Sequence, residues 1–290
     1  MSLFLDLRYA PVGGDLAAQP KIVRATSLAD YAMVALSEFL AAIRGRHLLL
    51  ATHGYNVTRA AGIASLGNWE QLLRLSEPAV YVGVLWPGDS TWAYGLDYPG
   101  ELSVADHAGI MLAAFLDANF QQAASLSLVS HSLGARVVLA AVRAMVRPVR
   151  RLTLMAGAVD DTCLNREFAA ATGKVGAISA LASRKDTVLS RLFPLGNFIG
   201  EILDAGHPWW HAALGHCGPA QPWPPNFVAP FEIPDGWKFN HGNYLQTDLP
   251  PVPVLPLPVE VPVQGAEEPA GGARGWQEAF TSGFESSRFR

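Results

Sequence analysis

Short apolar runs alternate along most of this chain with longer stretches whose apolar residues recur at helical spacing. "TSLADYAMVALSEFLAAI", Thr26 to Ile43, has Thr26 or Ser27 as N-cap candidates and Gly45 beyond its end, which predicts a helix. "HLLLATHG", His47 to Gly54, is a nearly unbroken apolar run that stops at His-Gly, as a strand buried on both faces should. A helical pattern over Ala60 to Leu75 leads to a second such strand, "AVYVGVLWPGD", Ala79 to Asp89, ended by Pro-Gly. A helix from about Ser103 to Phe120, a strand over Leu126 to Val129 and a helix over Leu133 to Val146 follow, the last closed by Pro148. Arg150 to Asp160 and Val175 to Ser183 add two strand candidates joined by a helix or an irregular crossover. Strands and helices in this alternation predict an α/β fold: a mostly parallel central sheet with helices on both faces.

After Asp186 the periodicity stops. His207 to Tyr244 crowds aromatics, prolines and histidines, and its tryptophans at 209, 210, 223 and 237 argue for an ordered, loop-rich insertion. From Leu249, "LPPVPVLPLPVEVPV" is proline-dense and then gives way to Gly, Ala, Glu and Ser, the composition of an extended tail. The expected organisation is one domain over residues 1–248 and an extended or disordered tail over 249–290.

Composition narrows the function classes. Half of the 290 residues are hydrophobic and 16% are charged, enough apolar material for a large core. A net charge of −4 without a dense Lys/Arg run gives no reason to expect nucleic acid as a partner. Cys163 and Cys217 make neither a disulfide framework nor a zinc-type spacing. Asp6 interrupts the short apolar run at the N-terminus, which does not read as a signal peptide, and no apolar run reaches the roughly 20 residues that cross a bilayer. The expectation is a soluble, cytoplasmic protein.

One turn carries candidate chemistry. In "LSLVSHSLGARVVLAA", Leu126 to Ala141, Ser132 sits between a strand and a helix with small residues, Ser130 and Gly134, on either side. Small neighbours let a strained turn lift a serine hydroxyl clear of the strand, and the following helix aims its unpaired N–H groups at the same place. Serine is also a preferred N-cap, so the turn alone does not choose between capping and catalysis.

A serine nucleophile needs a base and a group that orients the base. With a nucleophile at such a turn, these follow in the order Ser, acid, His. Asp186 comes directly after the last strand and His241 lies near the end of the folded region. Asp160 and Asp161, which end the preceding strand, are alternative acids. The oxyanion donors would be the backbone N–H groups of Leu133 and of Tyr55, just after His53-Gly54.

With these residues the chain resembles the α/β-hydrolase superfamily. It looks most like an uncharacterised bacterial serine-esterase or lipase-like group with an HGYN loop (His53 to Asn56), a Trp-Pro at the next strand end (Trp86-Pro87), an HS-[ML]-G elbow (His131 to Gly134) and an SxxD segment (Ser183 to Asp186). The resemblance implies the α/β-hydrolase fold and a serine hydrolase that cleaves an ester or related acyl bond through Ser132, Asp186 and His241, with no metal or organic cofactor.

His207, His211, His216 and Cys217 raise a metal site, but Pro208 intervenes and the surroundings are aromatic, so a lid or pocket wall is expected instead. That insertion, with Trp92, Tyr94 and Tyr98, fits a small apolar or aromatic acyl ester; filling space under long loops is the plainer reading. A scaffold that binds a ligand or protein without turnover is the alternative function. A docking role for the Pro-rich tail is a further one, with a spacer as its simpler reading.

Overall fold

A computed structural model describes residues 1–73, 75, 77–89, 98–190, 211–228 and 231–245. The tail, with its boundary at 248, lies outside them, as do Trp92, Tyr94, His207, Trp209 and Trp210 and the side chains of Tyr98 and Trp237.

Among the described residues nine strands form one sheet: β1 (Ser2–Arg8), β2 (Leu16–Ala25), β3 (Ala32–Met33), β4 (His47–Thr52), β5 (Ala79–Leu85), β6 (Ser125–His131), β7 (Val149–Met155), β8 (Val175–Ala182) and β9 (Phe231–Glu232). Their order is β3-β2-β1-β5-β4-β6-β7-β8-β9. From β1 to β9 neighbours run parallel, while β2 and β3 are antiparallel additions at one edge. The long crossover helices are α1 (Leu36–Ile43), α2 (Arg59–Leu73), α3 (Tyr98–Asn119) and α4 (Gly134–Ala144), covering both faces of the sheet. Leu48, Leu49 and Leu50 on β4 are fully buried, as the unbroken apolar run requires. No helix among the described residues is long and apolar enough to cross a membrane.

The strand order places the site. From β4 the chain moves outward to β5 and then returns to β6 on the opposite side of β4, so the direction of winding reverses between β4 and β6. Thr52 pairs with Ser130, which puts the ends of the two strands level. Crevices beyond strand ends at such a reversal are where open α/β sheets bind ligands. Here the loop from His53 and the turn at Ser132 both begin at these strand ends.

The N-terminal region departs from the sequence expectation. Residues 2–8 and 16–25 are strands, and the helix expected over Thr26 to Ile43 begins only at Leu36. Asp30 accepts hydrogen bonds from the Thr26 N–H (2.9 Å) and the Ser27 N–H (2.6 Å), closing a turn that competes with a helical start. Ala32 and Met33 then pair with Arg24 and Val23 on β2.

Asp6, which interrupts the N-terminal apolar run, and Arg8 are fully buried. Asp6 meets Arg59 Nε at 2.7 Å and accepts a hydrogen bond from the Tyr31 hydroxyl at 2.6 Å. Arg8 donates to the carbonyls of Trp86 (2.9 Å) and Val57 (3.0 Å) and pairs with the Asp89 carboxylate. Buried charges are tolerated where partners and hydrogen bonds meet them. The network ties the first strand to the segments beyond β4 and β5.

The described part of the insertion wraps the other edge. Ala213 bridges to Asp160 and Phe227 to Ile178, and Asn226 Nδ2 donates to the carbonyl of Thr172 at 2.8 Å. Gly215 lies so close to the main chain at Ala156 and Gly157 that a Cβ there would sit 2.1 Å from a carbonyl carbon. Packing against strand ends therefore orders this stretch without a repeating apolar pattern.

Candidate active site

Ser132 has φ of 54°, in the left-handed region that non-glycine residues rarely occupy, at the junction of β6 and α4. Such a conformation costs on the order of 1–3 kcal/mol and persists only where its surroundings hold it. The holding groups are main-chain: the Ser132 N–H donates to the Met155 carbonyl at 3.0 Å, and its own carbonyl accepts from Ala135 (3.0 Å) and Ala158 (3.1 Å). The small neighbours have a specific cause. A Cβ on Gly134 would lie 2.4 Å from the His53 carbonyl oxygen, so the turn can nest against the loop after β4 only without one.

The N-cap of α4 is Leu133, and the Ser132 hydroxyl is hydrogen-bonded elsewhere. Its Oγ lies 2.8 Å from Nε2 of His241, and Nδ1 of His241 lies 2.7 Å from Oδ2 of Asp186. A carboxylate accepts, so Nδ1 carries the proton, and Nε2 is left as acceptor for the serine hydroxyl. Ser132 and Asp186 are buried, and the His241 side chain is 17% exposed. Of the three candidate acids, Asp186 is the one bonded to His241. Asp161 faces His211 Nδ1 at 3.4 Å, and Asp160 bridges to Ala213.

Each member of this line is held from behind. The second oxygen of Asp186 accepts the N–H groups of Val188 (3.1 Å) and Leu189 (3.0 Å). Asn240 Oδ1 accepts from the Thr187 N–H and hydroxyl, both at 3.1 Å, and from the His241 N–H at 2.9 Å. Ser183 Oγ donates to the Phe239 carbonyl at 2.6 Å. Asn240 and Ser183 thus sew the acid's segment to the histidine's segment. Asn240 was not among the sequence candidates; its one signal was a polar neighbour to His241.

Leu133 and Tyr55 stand on the two loops that meet at Gly54 and Ser132. Leu133 lies at the start of α4, where the first-turn N–H groups lack intrahelical acceptors. Tyr55 follows Gly54, whose loop is braced by His53. The His53 ring donates from Nδ1 to the Gly54 carbonyl (2.9 Å), accepts the Trp86 N–H at Nε2 (3.2 Å) and stacks on the Trp86 indole. Burial, with Arg8 nearby, pushes its pKa down to about 4, so the ring is a neutral strut. The Asn56 N–H donates to the Gly88 carbonyl at 2.5 Å.

Among the described residues no group of three or more His, Cys, Asp or Glu is placed to hold a metal ion. Apart from His211 on Asp161, the His216 Nδ1 lies 3.2 Å from the Ser183 carbonyl.

No curated protein matches the chain. Among solved structures, a predicted CIB-like hydrolase from Thermoplasma acidophilum is 16% identical, covering 80% of this chain and 88% of that one, with a TM-score of 0.40. A hyperthermophilic esterase from Pyrobaculum calidifontis is 12% identical, covering 77% and 73%, with a TM-score of 0.36. Likenesses this shallow carry no argument of their own. The model of a family described as alpha/beta hydrolase of unknown function (DUF900) matches residues 29–192, a span that holds His53, Ser132 and Asp186 and ends before His241. With more than half of its length matched and a parallel sheet that reverses at the Ser132 turn, the chain belongs to this family of α/β hydrolases.

Proposed function

We propose that this hydrolase cleaves carboxylic esters or related acyl bonds, with Ser132 as nucleophile, His241 as general base and Asp186 as the group that orients the base. The observation that carries the reading is the unbroken line from Ser132 Oγ through His241 to Asp186, at 2.8 and 2.7 Å, with Ser132 held at a positive φ. As Oγ attacks the acyl carbon, its proton passes to Nε2 of His241, and Asp186 stabilises the imidazolium. The carbonyl oxygen becomes an oxyanion that the N–H groups of Leu133 and Tyr55 would receive, each donor worth roughly 3 kcal/mol in the transition state. His241 returns the proton to the departing alcohol, leaving an acyl-serine. Water, deprotonated by the same imidazole, then releases the acid and restores the hydroxyl.

The aromatic residues crowded in sequence between Asp186 and His241 support a small, uncharged apolar or aromatic ester as substrate. Residues 1–248 would suffice for the reaction, and a chain ending at Leu249 is expected to keep full activity. An inactive binding scaffold would be favoured by Ser132 and His241 standing out of reach, and they stand at hydrogen-bond distance.

The test is hydrolysis of p-nitrophenyl esters of increasing acyl length by the wild type and by Ser132→Ala, with a fluorophosphonate probe in parallel. The wild type should turn over and take the label, and the variant should do neither. A folded wild type that neither hydrolyses nor labels would overturn the proposal, as would a Ser132→Ala protein that keeps substantial activity.

A further inference from the structure

His131 is the residue before Ser132 and the last of β6, and nothing in the mechanism above uses it. Its Nε2 lies 2.7 Å from the main-chain carbonyl oxygen of His241. A carbonyl only accepts, so Nε2 carries a proton and donates it. The ring packs against the His241 imidazole with centroids 4.9 Å apart and against Tyr244 at 5.8 Å. Tyr244 in turn meets Phe239 edge-on at 5.2 Å. On its other side, a Cβ at Gly54 would be 3.2 Å from His131 Nδ1, so the loop after β4 presses on the same ring.

This geometry is unusual in what it joins. His241 sits at the start of a 3-10 turn, His241–Leu245, more than a hundred residues beyond β6, on a segment without a long helix or strand of its own. Two atoms from adjacent residues grip it, one at the end of β6 and one in the turn that follows: His131 Nε2 at the main chain and Ser132 Oγ at the ring. An imidazole attached to a loop can swing, and misplacement by about 1 Å costs on the order of 100-fold in rate. A donor on the residue next to the nucleophile removes that freedom at its root.

We propose that His131 is a positioning residue for His241: its Nε2–H, at the end of β6 and next to Ser132, fixes the main chain of the base so that the ring reaches Ser132 and Asp186 together. The inference rests on the hydrolytic reading of Ser132 and His241. His131 stays neutral in this role, because burial and the neighbouring His241 push its pKa down to about 3, and it adds no charge beside an imidazolium.

The amide nitrogen of glutamine falls near the position of imidazole Nε2, and that of asparagine falls short of it. His131→Gln and His131→Asn therefore differ in reach rather than in polarity. With p-nitrophenyl esters, His131→Asn is expected to lose roughly 10- to 100-fold in kcat with KM little changed, and His131→Gln to recover most of that loss. Thermal melts of the two variants should be similar. Equal kcat in the two variants, or a loss confined to KM, would overturn the positioning role. Nitrogen-15 histidine spectra read the same contact without substrate. In the wild type they should show His131 neutral with its proton on Nε2 and His241 with its proton on Nδ1. In His131→Asn the His241 ring should lose its single defined state, and a His241 spectrum unchanged by that substitution would sink the inference even if no ester is ever turned over. A wild type inactive on every ester but with these spectra would count against the hydrolytic reading alone.

Discussion

Gly54 and Ser132 meet so closely that a methyl group on Gly54 would lie 2.7 Å from the Cβ of Ser132. That contact joins the ends of β4 and β6 at the point where the winding of the sheet reverses. Gly54→Ala must push the two loops apart. The expected result is a loss of about 1–3 kcal/mol in urea denaturation together with roughly 100-fold lower ester hydrolysis. A variant as stable and active as the wild type would show that the contact is slack.

Asp186→Asn separates orientation from fold. The amide oxygen can still accept the N–H groups of Val188 and Leu189, so the melting temperature should move by only a few degrees. Its nitrogen, turned to His241, would face a donor with a donor and favour the tautomer that protonates Nε2, which can no longer take the serine proton. A fall in kcat of roughly 10⁴-fold is expected, measured on the best p-nitrophenyl ester.

Two imidazoles, His53 buried and His131 partly buried, give a sign to the pH dependence of stability. His53 is held to about 4 and His131 to about 3, against an ordinary 6.5. As pH falls below 6.5 the unfolded chain takes up protons at these positions and the folded chain does not, so stability is lost toward acid. Each contributes about 1.4 kcal/mol per pH unit, from pH 6.5 down to its folded pKa. Urea midpoints at pH 7, 6 and 5 measure the slope. His53→Asn, which cannot titrate, should flatten it; a slope equal to that of the wild type would mean that His53 is protonated in the fold.

The Arg8–Asp89 pair is buried on both sides, with side chains 0% and 4% exposed. Asp89→Ala leaves a guanidinium in the interior without its counter-charge, and a destabilisation of roughly 3–5 kcal/mol is expected by urea titration. Because Arg8 also holds the carbonyls of Trp86 and Val57, activity should fall beyond what the unfolded fraction explains.

How much of this was legible beforehand depended on whether the cause was local. The strands β4 to β8 could be read because burial on both faces writes itself as an apolar run, and the turn at Ser132 because a strained strand-to-helix junction needs small neighbours. The expected helix at Thr26 failed for a local reason, the Asp30 turn, joined to a distant one, the pairing of Ala32 and Met33 with β2. Strand β1 was hidden because Asp6 and Arg8 look like surface residues until Arg59, Tyr31 and Asp89 arrive from elsewhere in the chain.

Neighbours a few residues apart suffice to show the alternation of strands and helices and the turn that carries Ser132, and the candidate acids and histidine can be read in order beyond it. The pairing of Asp186, rather than Asp160 or Asp161, with His241, and the hydrogen bonds that Asn240, Ser183 and His131 make around it, come from the folded chain alone. Those contacts join residues 53 to 110 positions apart in the chain. No spacing rule reaches that far, because the distances are set by how strands lie side by side in the sheet.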